Sequence, residues 1–107
     1  PETKAASGEI AGYSYKSALN VTATGYTRFD AGCSDYTYTG AFATKGVIAV
    51  DPNVIPLGTE VYIPGYGYAV AADIGGAIKG NKIDLCYDTV NEAFSWGRRN
   101  VTVYILE

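Results

Sequence analysis

The sequence predicts a mainly β protein, a small closed β-barrel carrying one short helix. Three observations predict it. Short runs of apolar and β-branched residues recur at close spacing, as strands do in small barrels. Glycine and proline signals separate these runs, and 13 glycines in 107 residues supply the tight turns that such a structure needs. A single stretch, close to the C-terminal end, carries helix start and stop signals.

Residues 1–18 are polar and small, with weak periodicity, and read as a linker or N-terminal extension with room for an edge strand. The barrel domain is expected over 19–107. Val21–Tyr26 is its first strand. Residues 28–45 are rich in glycine, threonine and polar aromatics without a period, so they form a long loop, and long structured loops in compact domains are often functional. Val47–Val50 is a short apolar strand ended by Asp51-Pro52, and Thr59–Ile63 follows the turn Pro56-Leu57-Gly58. Pro64-Gly65-Tyr66-Gly67 turns the chain into the strand Tyr68–Ala72. Gly80-Asn81 turns it again into Lys82–Tyr87. Thr89-Val90-Asn91-Glu92 matches a capping box, in which the hydroxyl and the carboxylate serve each other's backbone N–H. Val90, Ala93, Phe94 and Trp96 then form a helical apolar face, Gly97 suits the C′ position, and Arg98 and Arg99 follow at the negative helix end. Asn100–Leu106 alternates Val101, Val103 and Ile105 against Thr102 and Tyr104 and is the last strand.

The chain is 48% hydrophobic, enough for a real core in one domain. Its net charge of −3 argues against nucleic acid and anionic membrane surfaces as partners. No apolar run approaches a membrane span. The beginning, Pro1-Glu2-Thr3-Lys4, lacks the basic-then-apolar pattern of a signal peptide and reads as a piece of a longer chain, with a signal or anchor expected upstream. Cys33 and Cys86 permit one disulfide or two buried thiols, and the sequence leaves both open. With no histidine, Ser-His-Asp and Cys-His catalysis are excluded. No CxxC, Cys/His or EF-hand spacing is present, so neither a metal nor a cofactor is predicted. Gly75-Gly76-Ala77-Ile78-Lys79-Gly80 lacks the phosphate-loop pattern, and the sequons at Asn20 and Asn100 fall in predicted strands and read as chance.

Three aspartates carry the candidate chemistry. Asp51 precedes a proline and serves either a turn or a site. Asp73 ends a strand beside Gly75-Gly76, where a ligand can approach the backbone closely, or it caps that turn. Asp84 lies inside Ile83-Asp84-Leu85-Cys86-Tyr87, where turn chemistry does not explain it. Alternation puts Asp84, Cys86 and Asp88 on one face and Ile83, Leu85 and Tyr87 on the other. If Asp73 and Asp84 converge, like charge and burial raise one pKa, and a carboxyl still protonated near neutral pH is a general acid. Cleavage of a glycosidic bond needs such a proton on the leaving oxygen. Tyr26, Tyr36, Tyr38, Tyr66 and Tyr68 flank turns or loops and offer sugar-stacking faces, or simply pack.

These residues fall into a recognisable pattern: Thr22-Ala23-Thr24-Gly25-Tyr26, Gly46-Val47-Ile48-Ala49-Val50-Asp51-Pro52, Ile55-Pro56-Leu57-Gly58-Thr59 and Gly65-Tyr66-Gly67. It continues with Ala72-Asp73-Ile74-Gly75-Gly76-Ala77-Ile78-Lys79-Gly80, Ile83-Asp84 and Gly97-Arg98-Arg99. From about Asn20 to Leu106 the chain resembles the three-aspartate (3D) domain. That domain is similar to the catalytic core of the membrane-bound lytic transglycosylase A family and to the stationary-phase-survival cell-wall proteins of Gram-positive bacteria.

The resemblance implies a six-stranded double-psi β-barrel and a lytic transglycosylase, a carbon–oxygen lyase acting on peptidoglycan glycan strands in the cell wall or outside the cell. Such an enzyme cleaves between N-acetylmuramic acid and N-acetylglucosamine and leaves a 1,6-anhydro product. By motif position Asp84 is the acid/base, Asp73 supports it electrostatically and Asp51 orders the groove. Thr39, Gly40 and Lys45 fall in a loop that lines the cleft in similar proteins, and Gly75 and Gly76 are further substrate-binding candidates. Lys45 binds a substrate carboxylate or acetamido oxygen, or is a solvated loop lysine. Ile74 stands where the pattern usually has threonine, and the tract Arg28–Tyr38 departs from it. Similar domains often follow a sugar-adhesive G5 module, so an adjacent G5 module upstream is a further expected partner. The alternative function is a non-catalytic module that binds cell-wall glycan, as some double-psi barrels do.

Overall fold

The computed structural model describes residues 7–107 and holds seven strands and one helix. They are β1 (Gly8–Ile10), β2 (Tyr13–Tyr26), β3 (Val47–Ala49), β4 (Glu60–Ile63), β5 (Gly67–Asp73), β6 (Lys82–Cys86), α1 (Val90–Trp96) and β7 (Arg98–Leu106). The strands form one sheet in the order β1-β2-β6-β3-β5-β4-β7, and a further pairing of β2 with β7 closes it. Six strands therefore make a mixed barrel, with parallel pairs β2–β6 and β3–β5, and β1 hangs from β2 as an antiparallel edge. Closure leaves no edge on the barrel itself.

Period-two alternation fills the interior. Val21 and Ala23 of β2, Ile48 of β3, Val61 and Ile63 of β4, Ala69 and Ala71 of β5, Ile83 and Leu85 of β6 and Val103 of β7 form one buried cluster. Ile55 and Trp96 join it from the turn after β3 and from α1. A smaller cluster lies on the other face of the same strands, where Tyr26, Ala49 and Cys86 pack with Ala43 and Ile78 from two loops. β6 is thus covered on both faces along part of its length, which is why Ile83-Asp84-Leu85-Cys86 lacks a clean polar side.

The helix begins at the predicted capping box, of which one half is met as expected, the Glu92 carboxylate bonding the Thr89 hydroxyl where the pattern has the Thr89 N–H. Thr89 accepts a hydrogen bond from the Glu92 N–H at 3.1 Å, and its hydroxyl donates to the Glu92 carboxylate at 3.0 Å. Gly97 ends it at φ 69°, in the left-handed region. Arg99 donates to the Trp96 carbonyl at 2.9 Å and stacks on the Trp96 ring. The expected apolar face is only half right. Ala93 and Trp96 are buried, whereas Val90 and Phe94 are exposed, Phe94 at 87%. So short a helix rests on β2 along one narrow stripe. A Cβ on Gly25 would stand 2.9 Å from the Ala93 carbonyl oxygen, so glycine is what admits the helix so close.

Two differences from the sequence reading concern the ends. β2 runs back to Tyr13, and β7 starts at Arg98, because Tyr15–Thr24 pairs along the whole of β7. The stretch Tyr13-Ser14-Tyr15-Lys16 has no aliphatic residue and is strand through pairing, with β1 over Tyr13–Tyr15 and with β7 from Tyr15 onward; Tyr13 also meets the rings of Tyr62 and Tyr68, and Tyr15 that of Tyr104.

Candidate active site

Register assembles the site. Thr24 on β2 pairs with Asp84 on β6, Asp84 pairs with Ala49 on β3, and Ala49 pairs with Asp73 on β5. The result is one row across four adjacent strands on the outer face of the barrel, with a small alanine between two carboxylates. The two aspartates are two strand intervals apart, on the order of 9–10 Å between Cα atoms. A cleft of about 250 Å³ opens over this row. The loop between β2 and β3 walls it through Cys33, Ser34 and Tyr36, and the loop after β5 walls it through Ile74, Gly75 and Ile78.

The two carboxylates are held differently. Asp73 accepts three hydrogen bonds: from its neighbour Ile74 N–H at 2.9 Å, from Tyr38 N–H at 3.0 Å and from the Tyr26 hydroxyl at 3.0 Å. Burial, and then the nearby Asp73, push the Tyr26 phenol far above its ordinary pKa, so it remains a donor. Asp84 accepts one bond, from the Thr24 hydroxyl to Oδ1 at 2.9 Å. No described residue bonds its other oxygen, which leaves Oδ2 to a ligand. Burial holds the Asp84 carboxyl above the usual carboxylate range; Thr24 opposes the shift, and Asp30 and Asp73 add to it. A desolvated carboxyl lining a cleft, beside a carboxylate fixed by three donors, has the form of an acid with an electrostatic partner.

The remaining predicted residues are distributed around this pair. Asp51 does not line the cleft. It accepts from Asn53 N–H at 3.0 Å and from Gly80 N–H at 2.8 Å, and these bonds lower its pKa. It therefore ties the turn after β3 to the far end of the loop that carries Gly75 and Ile78. Gly75 lines the cleft; Gly76 follows it in the same loop. Thr39 and Gly40 lie in the tip of a small hairpin, with Thr39 N–H bonded to the Ala72 carbonyl at 3.1 Å and Gly40 N–H to Thr37 at 2.9 Å. Lys45 lies away from the carboxylates, its ammonium 5.1 Å from the centre of the Tyr66 ring. Cys33 and Cys86 are free thiols, Cys33 at the cleft and Cys86 buried, where desolvation raises its pKa to about 11.

Thr24 and the Tyr26 hydroxyl were not singled out from sequence as site groups. The signal was present: Thr22-Ala23-Thr24-Gly25-Tyr26 alternates, so Thr24 and Tyr26 share the face opposite to Ala23. Among the described residues no group of three or more His, Cys, Asp or Glu side chains could hold a metal ion. No helix among them is long and apolar enough to cross a membrane.

A closed six-stranded barrel with a carboxylate pair on its outer face defines the class, and the chain belongs to the 3D domain family, whose pattern it matches over residues 46–107. It is similar to the cell wall-binding protein YocH of Bacillus subtilis (strain 168), 55% identical over 92 residues, which cover 82% of this chain and 32% of YocH. It is also similar to YabE of the same organism, provisionally named a cell wall shaping protein, 50% identical over 92 residues that cover 82% of this chain and 23% of YabE. The chain thus spans about a third or less of the length of these two relatives. Among solved structures it is similar in fold to MltA from E. coli, with a TM-score of 0.56 and 23% identity over 73% of this chain and 29% of that one.

Proposed function

We propose that this domain is a peptidoglycan lytic transglycosylase with Asp84 as its acid and base, working on glycan strands in the cell wall. The observation that carries the reading is the desolvated Asp84 carboxyl, with one free oxygen, in a cleft opposite the fixed Asp73 carboxylate. In the first half-reaction Asp84 gives its proton to the glycosidic oxygen as the bond to the muramoyl C1 breaks. The electron pair leaves with the N-acetylglucosamine oxygen, and C1 becomes oxocarbenium-like. Asp73, fixed by its three donors, stabilises that charge electrostatically. In the second, Asp84, now ionised, takes the proton of the muramoyl C6 hydroxyl as that oxygen closes on C1. The 1,6-anhydro ring forms, Asp84 is protonated again, and no water is consumed.

The spacing of the pair bears on the alternatives. Retaining hydrolases hold their two carboxyl groups about 5–5.5 Å apart and inverting ones about 6.5–9.5 Å. A whole strand between Asp73 and Asp84 disfavours the retaining arrangement, and the fate of water at C1 separates an inverting hydrolase from a single carboxyl that acts twice. Asp51 has a supporting part, fixing the loop that carries Gly75. The names of YocH and YabE support a wall location and peptidoglycan as the partner. The name of YocH also favours a second reading, a module that binds wall glycan without cutting it.

Mass spectrometry of purified peptidoglycan after incubation separates the two. Anhydro-muramoyl fragments from the wild type and none from a folded Asp84→Asn protein support the transglycosylase. Sedimentation of both proteins with the wall and no soluble fragment from either supports the binding module.

A further inference from the structure

The loop between β2 and β3 displays aromatic rings that the carboxylate chemistry does not use. Phe29 and Tyr36 are each 64% exposed and Phe42 is 47% exposed. They are not scattered. The Arg28 guanidinium lies 4.6 Å from the centre of the Phe29 ring and 4.8 Å from that of Phe42, and Phe42 meets Tyr36 edge to face at 6.0 Å. The chain of contacts Phe29, Arg28, Phe42, Tyr36 ends at the cleft, because Tyr36 is one of its walls.

Nor is the ridge loose. Arg28 donates to the Ala43 carbonyl at 3.2 Å and pairs with Asp88 at 3.7 Å. Asp88 also accepts from the Thr44 hydroxyl and from Lys45 N–H. Tyr36 and Phe42 face each other across a bridge closed by Thr37 N–H to the Ala41 carbonyl at 2.7 Å. The same hairpin is docked on the site itself through Tyr38 N–H to Asp73. Apolar rings left in water and held in place by a buttress of hydrogen bonds are preorganised for a ligand.

We propose that Phe29, Phe42 and Tyr36 form a pyranose-stacking subsite that prolongs the carboxylate cleft and receives sugar units beyond the one being cleaved. The proposal rests on the glycan reading of the cleft. It commits to saccharide because the ridge is continuous with that cleft: a chain bound over Asp84 runs onto Tyr36 and then onto the phenylalanines. The C–H faces of pyranose rings are apolar and planar enough to cover an aromatic ring, and their hydroxyls stay in water at the rim. Such a subsite makes affinity depend on glycan length.

The test is binding of chitin oligosaccharides, a disaccharide and a hexasaccharide, and of glycan strands stripped of their stem peptides. The proteins are the wild type, Phe29→Ala and Phe42→Leu; the second keeps apolar bulk under Arg28 while removing the ring. Wild type is expected to bind the long saccharides more tightly than the disaccharide. Each variant is expected to lose about three- to tenfold in affinity for the long ones, from aromatic contacts of ordinary strength, with disaccharide binding unchanged. Unchanged hexasaccharide and strand binding in both folded variants overturns the subsite. If those variants bind normally while Asp84→Asn still abolishes cleavage, the subsite fails and the glycan reading stands. If wild type binds no saccharide but binds free stem peptides, the glycan reading fails and takes the subsite with it.

Discussion

Replacing Asp73 by alanine and by asparagine separates its two duties, as a charge beside Asp84 and as the acceptor that docks the loop between β2 and β3. The alanine variant orphans three donors at once: the Tyr26 hydroxyl and the N–H groups of Tyr38 and Ile74. Their costs differ. Tyr26 is 6% exposed overall and lines the cleft, so its hydroxyl loses a partner that only cleft water can replace, a penalty of up to about 1–3 kcal/mol. The two N–H groups are at the surface, and water replaces most of what they lose. The net loss is therefore up to about 1–3 kcal/mol, or ~4–8 °C in Tm per kcal/mol for a domain of this size. Asp73→Asn keeps Oδ1 for both N–H groups and lets the Tyr26 hydroxyl turn to accept, so it loses less than half as much while removing the charge. Urea unfolding with an unchanged m-value measures the stabilities, and amide exchange at Tyr38 reports the loop. Fast Tyr38 exchange is expected in the alanine variant and near-native exchange in the asparagine variant. Asp73→Ala within ~0.5 kcal/mol of wild type, with Tyr38 still protected, refutes the assignment of Asp73 as the anchor of that loop.

Three further outcomes follow from the same geometry. The Asp84 carboxyl is raised by burial, so the folded state binds its proton more tightly than the unfolded chain does; this contribution is complete below the ordinary value of 3.8 and is lost as pH rises through the folded value. Asp84→Asn is therefore expected to be more stable than wild type near neutral pH, with the difference closing as the solution is acidified, as thermal unfolding across pH will show. Gly25→Ala forces a Cβ to within 2.9 Å of the Ala93 carbonyl and should cost about 1–3 kcal/mol through displacement of α1, measured by denaturant unfolding and by quenching of Trp96 fluorescence. Asp51→Ala should speed amide exchange at Gly80 and weaken glycan binding through the loop of Gly75, yet leave the Asp84 titration in place, as carboxyl NMR can follow.

Much of the barrel was legible because its strands are short and each is stopped by a glycine or proline turn, so boundaries from Val47 to Lys82 fall within a residue or two of the structure. The early part of β2 was not, since Tyr13 to Lys16 carries no aliphatic residue and is strand through pairing with β1 and, from Tyr15, with the distant β7. Val90 and Phe94 satisfied a helical period and yet face water, because Gly25 and Ala93 fix which stripe of α1 touches the barrel. Asp84 stood out in sequence as a carboxylate in a strand with no turn to serve. Its meeting with Asp73 depends on Ala49 pairing with both, a long-range register that no local pattern encodes. Thr24 could be placed on the right face from β2 alone, but its bond to Asp84 needed the parallel pairing of β2 with β6. Asp51 belongs to a motif as regular as the other two aspartates, and only its bonds to Asn53 and Gly80 distinguish a loop fastener from a cleft residue.

In the proposed reaction one carboxyl acts twice and no water attacks the sugar. Digestion of purified peptidoglycan in water enriched in heavy oxygen, read by mass spectrometry of the released muropeptides, tests it most directly. The wild type is expected to release 1,6-anhydro-muramoyl ends without the label, and Asp84→Asn none. Labelled reducing ends would show that water had entered at C1, and the mechanism assigned to Asp84 and Asp73 would be contradicted.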